Sequence, residues 1–336
     1  MVFKKPKLIC TTPIRNEAKV LGRFIECASM WADYIIISDQ LSEDNSIEIA
    51  KKYPKVILVK NLEYEYNEKQ VRQLLINKAR EIGGDKIIFA VDADEVLTPE
   101  IISSEEINKI LNSDPGTVFM AQFVNIYPDL SHFWEGPLRL PLAFHDDGSS
   151  YEASDIHTLR NICPENALKI NLNHIKIMHF QFTDWDRMES KHRWYQCYER
   201  IKNPALSALR IYRSYHHMYS VKKKDLKIIP ENWFDFYLNI GVDLKIVLKD
   251  KYYYWDKRVL EYFNKYGTSF FTKEAIWDIN WESAGKHFGF ENAGVFKDPR
   301  NVFQKIIQFW LKKTQLKHMS LPIRAIDKVL VEIFKY

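Results

Sequence analysis

Along the first hundred residues, short apolar runs alternate with amphipathic stretches. Lys7 to Thr12 is strand-like, and Glu17 to Trp31 repeats its apolar positions at helical spacing. Tyr34 to Ser38 is a bare β-branched run, after which the polar SEDNS opens a helix through Ala50 to Tyr53. Val56 to Lys60 predicts a third strand, about Asn67 to Ile82 a long helix, and Lys86 to Val91 a fourth strand. Strands alternating with helices imply right-handed crossovers and a parallel sheet covered on both faces. The predicted class is α/β.

From Gly116 to about Ile177 the pattern changes to strand-like runs between turn clusters, with helix signals nearly absent. A helix follows from about Asp186 to Lys202, rich in basic and aromatic residues, and Pro204 closes it. Beyond Lys222 the chain reads as helical and aromatic. Val302, Phe303, Ile306, Ile307, Trp310 and Leu311 fall on one stripe, and Ile323, Ile326, Leu330 and Ile333 on another. Core packing accounts for both stripes. The change in composition suggests a boundary near residue 225, leaving 226–336 as a helical, aromatic-rich C-terminal region.

With 336 residues, 46% of them hydrophobic, the chain has ample material for a sizeable core. Its net charge of +4 argues against a dedicated polyanion binder, so nucleic acid is not an expected partner. The four cysteines, Cys10, Cys27, Cys163 and Cys197, are far apart in sequence. They suggest neither a disulfide framework nor a zinc ribbon, and a reducing cytoplasm is the expected location. The longest uncharged stretch, Pro115 to Pro128, falls short of the roughly 18 residues a membrane-spanning helix needs. Glycine is scarce, at 11 residues, and neither of the glycine-rich phosphate-binding patterns occurs. A nucleotide's phosphates must then be neutralised in another way.

Ile87 to Leu97 (IIFAVDADEVL) supplies one. An apolar strand ending in Asp92-Ala93-Asp94 places two carboxylates at the carboxyl end of a buried parallel strand, where open α/β sheets bind ligands. Their mutual repulsion is relieved by a hard divalent cation, and magnesium or manganese is commonly held by one or two carboxylates with positions left for substrate phosphates. Two further polar segments follow the first two strands. These are Thr12-Pro13-Ile14-Arg15-Asn16-Glu17-Ala18 and Ser38-Asp39-Gln40-Leu41-Ser42-Glu43-Asp44, and both belong to the same sheet edge.

With these three segments in order, the chain resembles the family 2 glycosyltransferases of the GT-A fold, and more closely the subset whose first motif reads R-N-E-A. The usual D-D-G-S-x-D pattern stands here as Asp39-Gln40-Leu41-Ser42-Glu43-Asp44, without the second acid and the glycine. A further stretch, A-R-N-x-G-L-x-x-A, is matched only by Arg72 and Ala79. The resemblance implies a GT-A mixed sheet flanked by helices, with a catalytic domain over 1–225. It also implies that Asp39 contacts the base or ribose of a nucleotide sugar, with Pro13 and its neighbours, Arg15 and Glu17 among them, lining that pocket. Asp94 would ligate the metal on the diphosphate, Asp92 would reach the ribose or donor sugar, and Arg72 would lie near the donor. The implied cofactor is Mn2+ or Mg2+, and the implied donor a nucleotide sugar, UDP-linked in the first instance.

Such a site favours displacement at an anomeric carbon, with a carboxylate or histidine taking the acceptor hydroxyl's proton. A single displacement inverts configuration. Asp155 is the first candidate for the base, because in relatives an acid sits at about this distance beyond the paired acids. Asp146, Asp147 and His157 are further candidates, although Asp-Asp-Gly-Ser is also ordinary turn chemistry. His179, at the end of an apolar run, matches by order the histidine that completes the metal shell in some GT-A enzymes; a core histidine would read alike. Arg187, Lys191 and Trp194 share a helical face that could close over the diphosphate or stack a sugar on Trp194 or Tyr195, although a solvated helix with its aromatics packed inward is the simpler account of each residue.

The expected activity is thus metal-dependent, inverting transfer of a hexosyl group to a glycan or lipid-linked saccharide acceptor. Positive charge and C-terminal amphipathic helices permit peripheral contact with the inner face of a membrane. Two other classes share the architecture: a sugar nucleotidyltransferase, disfavoured by a glycine-free first loop, and a non-catalytic carbohydrate-binding protein, disfavoured by the intact acids at 92 and 94.

Overall fold

The computed structural model describes residues 5–64, 67–149 and 167–336. The chain divides into two compact units, the first made of Met1–Thr183 with Lys227–Leu248 and the second of Asp184–Leu226 with Lys249–Tyr336.

The first unit begins β1 (Lys7–Ile14), α1 (Ala18–Ser29), β2 (Tyr34–Asp39), α2 (Ser46–Ala50), β3 (Val56–Lys60), α3 (Glu68–Arg80), β4 (Lys86–Ala90). It continues with β5 (Glu95–Leu97), α4 (Glu100–Ser103), α5 (Glu105–Leu111), β6 (Val118–Ile126), β7 (His132–His145) and β8 (Lys169–His179). These strands and a short β9 (Lys227–Ile228) form one mixed sheet in the order β3-β2-β1-β4-β7-β6-β8-β5, with β9 on β7. Strands β1 to β4 are parallel, as the alternation with helices predicts. The α/β class and the helical, aromatic-rich C-terminal region are both present.

Alternate residues of each parallel strand point to opposite faces, yet both faces are covered, so the runs are continuously apolar. Cys10, Ile35, Ile37 and Phe89 pack with Leu21, Phe24 and Ile25 of α1. Their strand neighbours Ile9, Ile36 and Ile88 pack instead with Val71, Leu75 and Ile76 of α3. A third cluster explains why residues 227–248 return to the sheet: α8 (Glu231–Leu238) puts Trp233, Phe234 and Tyr237 against Val96, Val124, Phe133 and Met178. The buried Tyr237 hydroxyl donates to the Leu97 carbonyl at 2.6 Å.

Strand β8 departs from regular pairing in its middle. Met120 of β6 faces Asn171, but Gln122 faces Lys176, so Leu172 to Ile175 bulge from the ladder. The carboxylate of buried Glu106 on α5 accepts from the backbone N–H groups of Asn173, His174 and Ile175 at 2.6, 3.0 and 2.9 Å. One side chain thereby satisfies three donors that the bulge would otherwise strand.

The second unit contains α6 (Trp185–Lys202), α7 (Ala208–Tyr215), α9 (Tyr254–Tyr266), α10 (Trp281–His287), α11 (Val302–Thr314) and α12 (Leu321–Glu332). Arginines tie these helices together: buried Arg193 pairs with Asp256 and half-buried Arg213 with Asp327, each at 3.0 Å. The α11 stripe is only partly core. Ile307 and Leu311 are buried, whereas Val302, Phe303 and Ile306 are exposed, and on α12 so are Leu321, Ile326 and Val329. No helix among the described residues is long and apolar enough to cross a membrane.

Candidate functional site

At the carboxyl edge of the parallel strands, Ile14 of β1 stands opposite Asp39 of β2, and the loops that follow are laced together. The Asn16 side chain accepts from the N–H groups of Glu43 and Asp44, and its own N–H donates to the Ser42 hydroxyl. Asp44 accepts from the Ala18 N–H and from Ser46. Asn16 and Leu41 both hold positive φ, 57° and 54°. Asparagine adopts this region readily; leucine does not, and it occupies the position where the resembled pattern has glycine. Leu41→Gly is therefore expected to leave thermal stability unchanged or raise it slightly, opposite to the usual loss on placing glycine in a loop. A drop of several degrees in Tm would refute that strain.

Asp39 is buried. Its Oδ2 accepts from the Ser42 N–H at 3.3 Å, while Oδ1 has no hydrogen-bond partner among the described residues, and neither does the neighbouring Ser38 hydroxyl. A buried carboxylate oxygen left this way costs about 1–3 kcal/mol and points to a ligand donor. Gln40 plays a different part, its Nε2 donating to the Glu63 carbonyl at 2.8 Å and so pinning the loop after β3. Arg15 reaches the same loop, donating to the Tyr64 carbonyl at 2.8 Å and lying over the Tyr64 ring.

The second half of the edge is the turn after β4. Glu95 closes it from both sides, its N–H donating to the Asp92 carbonyl and its Oε2 accepting from the Asp92 N–H, each at 2.9 Å. Glu95 then starts β5, which pairs with the end of β8, so that Glu95 stands opposite His179 and the Phe180 N–H donates to the Asp94 carbonyl. The result is a buried group in which Asp94, Glu95 and His179 each offer a ligand atom within 4.8 Å of the others. His179 Nε2 lies 3.7 Å from Asp94 Oδ2. Its Nδ1 is 3.0 Å from Asn125 Oδ1; with Asn125 accepting, Nδ1 carries the proton and Nε2 keeps a lone pair toward Asp94. Two carboxylates and an imidazole suit manganese, and with fewer nitrogen ligands magnesium.

Asp92 faces elsewhere. Its Oδ1 is 3.0 Å from the guanidinium of Arg72, itself buried on α3 and also near Glu68 at 3.6 Å. Pro13, Arg15, Asp39, Asp92 and Asp94 therefore share the edge, and Arg72 acts on Asp92. Glu17 contributes its backbone, the N–H donating to Ser46 and the carbonyl heading α1. Lys191 belongs to the second unit. Asp155 and His157 lie outside the described residues. Asp146 is held by Arg80, at 2.8 Å, and its N–H donates to the Lys86 carbonyl. Lys86 opens β4, so Asp146 sits at the amino end, about 20 Å of strand from the acids, and is no base for chemistry at the other edge.

The family model of glycosyl transferase family 2 matches residues 10–184, more than half of the chain. The chain belongs to that family. The matched span contains the edge from Pro13 to Asp94 and His179 and ends where the continuous part of the first unit ends. Among solved structures, the glycosyltransferase resembles 4-diphosphocytidyl-2C-methyl-D-erythritol synthase at 12% identity and TM-score 0.31, covering 42% of this chain and 76% of that one. It also resembles a mycobacterial protein at 16% identity and TM-score 0.29, covering 36% of this chain and 41% of that one. A third likeness is glucosyl-3-phosphoglycerate synthase from Mycobacterium tuberculosis in complex with Mn2+, uridine-diphosphate and phosphoglyceric acid. Its identity is 15% and its TM-score 0.28, with 35% of this chain and 43% of that one covered. The chain thus spans less than half the length of the latter two.

Two residues of this arrangement, the group member Glu95 and the His179 partner Asn125, escaped the sequence patterns. Glu95 looks like the first residue of a strand, and its adjacency to Asp94 was the only local signal. Asn125 carries none, because it meets His179 through the parallel pairing of β6 with β8.

Proposed function

We propose that this family 2 glycosyltransferase transfers a hexosyl group, with inversion, from a nucleoside diphosphate sugar, UDP-linked in the first instance, to a hydroxyl of a glycan or lipid-linked saccharide. The observation that carries the proposal is the buried Asp94–Glu95–His179 group on the same sheet edge as the unpartnered oxygen of Asp39. β2 and β4 flank β1, so Asp39 and the acids after β4 stand about 10 Å apart, two strand spacings. That suits a nucleoside at Asp39 and its diphosphate at Asp94.

Asp94, with His179 and Glu95, would hold a divalent cation, manganese or magnesium. When bound, the cation supplies charge neutralisation to the departing diphosphate. Pro13 and Arg15 border the nucleoside position, with Glu17 shaping the loop through its backbone. Asp92, oriented by Arg72, faces the ribose or donor sugar. The acceptor oxygen forms the new bond to the anomeric carbon as the carbon–oxygen bond to the β-phosphate breaks; the hydroxyl proton goes to the Asp155 carboxylate.

The test is thermal stabilisation by UDP, GDP and CDP with and without Mn2+, followed by a nucleotide-sugar hydrolysis screen. A manganese-dependent shift with one diphosphate is expected, and none with any nucleotide would refute the donor site. Asp155→Asn should retain that shift while losing transfer; undiminished transfer would remove Asp155. Asn125→Leu is expected to weaken manganese affinity by about 10–100-fold, since it frees the imidazole to rotate and change tautomer. An unaltered manganese titration would show that His179 is not a ligand.

Residues 300–336 carry eight lysine and arginine side chains against two acids, interspersed with the exposed Leu321, Ile333 and Phe334. This combination supports peripheral attachment to an anionic membrane surface. Flotation with phosphatidylglycerol vesicles at low salt should carry the protein upward. Failure to float would remove the membrane from the proposal.

A further inference from the structure

Within the second unit lies a cavity of about 580 Å³, inside the range of roughly 300–1,000 Å³ typical of small-ligand sites. Helix α11 gives one side of it. Lys305, Phe309, Lys312 and Lys313 fall at positions i, i+4, i+7 and i+8, which places three ammonium groups and one ring on a single helical face. Lys312 has no ion pair among the described residues, Lys313 has only the Phe309 ring at 5.4 Å, and Lys305 has Asp298 at 3.7 Å. The acids that line the cavity are already engaged. Asp278 pairs with Arg193 at 2.8 Å, and Glu189 accepts from the Tyr219 hydroxyl. The α11 side therefore keeps a positive surplus that an anionic group would neutralise.

The histidines of the lining have another character. His216 stacks on Tyr212 at 3.9 Å with its ring nearly parallel, and its Nδ1 donates to the Tyr212 carbonyl at 2.9 Å. His192 Nδ1 donates to the Tyr215 carbonyl at 2.6 Å. Burial pushes the two imidazoles down to about 4 and about 3, so both are neutral at physiological pH and their Nε2 atoms are acceptors. Neutral imidazoles and carboxylates accept from hydroxyl groups, and the flat tyrosine and tryptophan rings suit an amphipathic sugar face. Both sides are pinned: Gln315 Nε2 donates to the His216 carbonyl at 3.0 Å, and Gln308 Nε2 on α11 to the Glu274 carbonyl at 3.0 Å.

We propose that this cavity binds a saccharide carrying one phosphate or carboxylate group, with the anion at Lys312 and Lys313 and the hydroxyls against the histidines. A nucleotide is disfavoured, because the lining acids Glu189 and Asp278 would repel a second phosphate. The bound saccharide is part of the acceptor, an assignment that rests on the transferase function proposed above. It narrows the acceptor class to anionic glycans.

The whole protein is titrated calorimetrically with glucose 6-phosphate, glucuronate, glucose and inorganic phosphate, each with and without saturating UDP and Mn2+. At least one anionic sugar is expected to bind tenfold or more tightly than both glucose and inorganic phosphate, undisturbed by the nucleotide; which of the two does so tells phosphate from carboxylate. The double variant Lys312→Ala/Lys313→Ala should lower that affinity at least fivefold, and 500 mM salt should do the same to the parent protein. Equal binding of glucose, equal binding of inorganic phosphate, displacement by UDP, or indifference to both the variant and salt would each overturn the proposal. A manganese-dependent UDP shift, read on the same samples, separates the outcomes. Its presence without anionic-sugar binding rejects this cavity alone; its absence beside anionic-sugar binding rejects the donor site and the acceptor assignment that rests on it, and leaves the saccharide cavity standing.

Discussion

Asp94→Asn is expected to reduce sugar transfer by roughly 10³-fold and to abolish the manganese-dependent thermal shift, while the protein stays folded. An amide keeps the shape of the side chain and loses its charge, so only the ionic function is deleted. Asp94 and Glu95 are buried beside each other, with His179 the third member of the group. Removing one negative charge from that group relieves repulsion in the metal-free protein, so its Tm without manganese should stay level or rise. A structural role predicts the reverse, a lower Tm with activity falling in proportion. Transfer within tenfold of the parent at saturating manganese would sink the metal assignment.

Glu106→Ala is expected to cost about 3 kcal/mol or more of stability, the penalty for orphaning several buried backbone donors at once. Three consecutive N–H groups of the β8 bulge lean on this carboxylate. No water can replace it without space, and the bulge cannot rejoin the ladder without shifting the whole register of β8. Burial by itself would raise the acid's pKa; the three backbone bonds, with His174 nearby, outweigh burial and hold it below its ordinary value of 4.5. A depressed folded-state pKa contributes stability that is complete above the unfolded value and is lost as pH falls through the folded one. The parent should therefore lose stability below about pH 4.5, and Glu106→Ala should lack that part of the acid transition. Urea midpoints at pH 7 and pH 4 measure both effects. Equal slopes with pH in parent and variant would mean that Glu106 does not supply the bonds.

Because β8 ends at His179, any register slip there moves the imidazole away from Asp94. Glu106→Ala should then also weaken manganese binding, even though the residue touches no site atom. The two effects separate in Glu106→Gln, which keeps acceptor oxygen for part of the bulge and should fall between parent and alanine in both measurements.

Much of this molecule is written locally. The strands of the first hundred residues are continuous β-branched runs, because each is covered on both faces, and the helices between them show the 3.6-residue period of a one-sided burial. Asp39, Asp92 and Asp94 are visible for the same reason: polar residues directly after such runs must lie at a sheet edge. The alternating character of residues 116–177 announces strands, but not their order. Nothing local tells that β8 is parallel to β6 and antiparallel to β5, and that pairing brings Asn125 and Glu95 to His179. Asp146 misleads for the complementary reason. A turn rich in acids resembles a site, and only the antiparallel course of β7 reveals that the turn lies at the wrong end of β4.

The α11 and α12 stripes have a similar ambiguity. A helical period of apolar residues reports amphipathicity, whereas whether the stripe is covered depends on what packs there; Ile307 and Leu311 found a partner, Val302 and Ile306 did not. The α/β class, the position of the acidic edge and the lack of any glycine cradle can all be read from the unfolded chain, since each follows from periodicity or composition within a few residues. The ligand group around Asp94, the Glu106 clamp and the cavity of the second unit exist only once the chain is folded. All three join side chains far apart in the chain, and contacts of that kind depend on strand register and helix packing, which no short window of residues encodes.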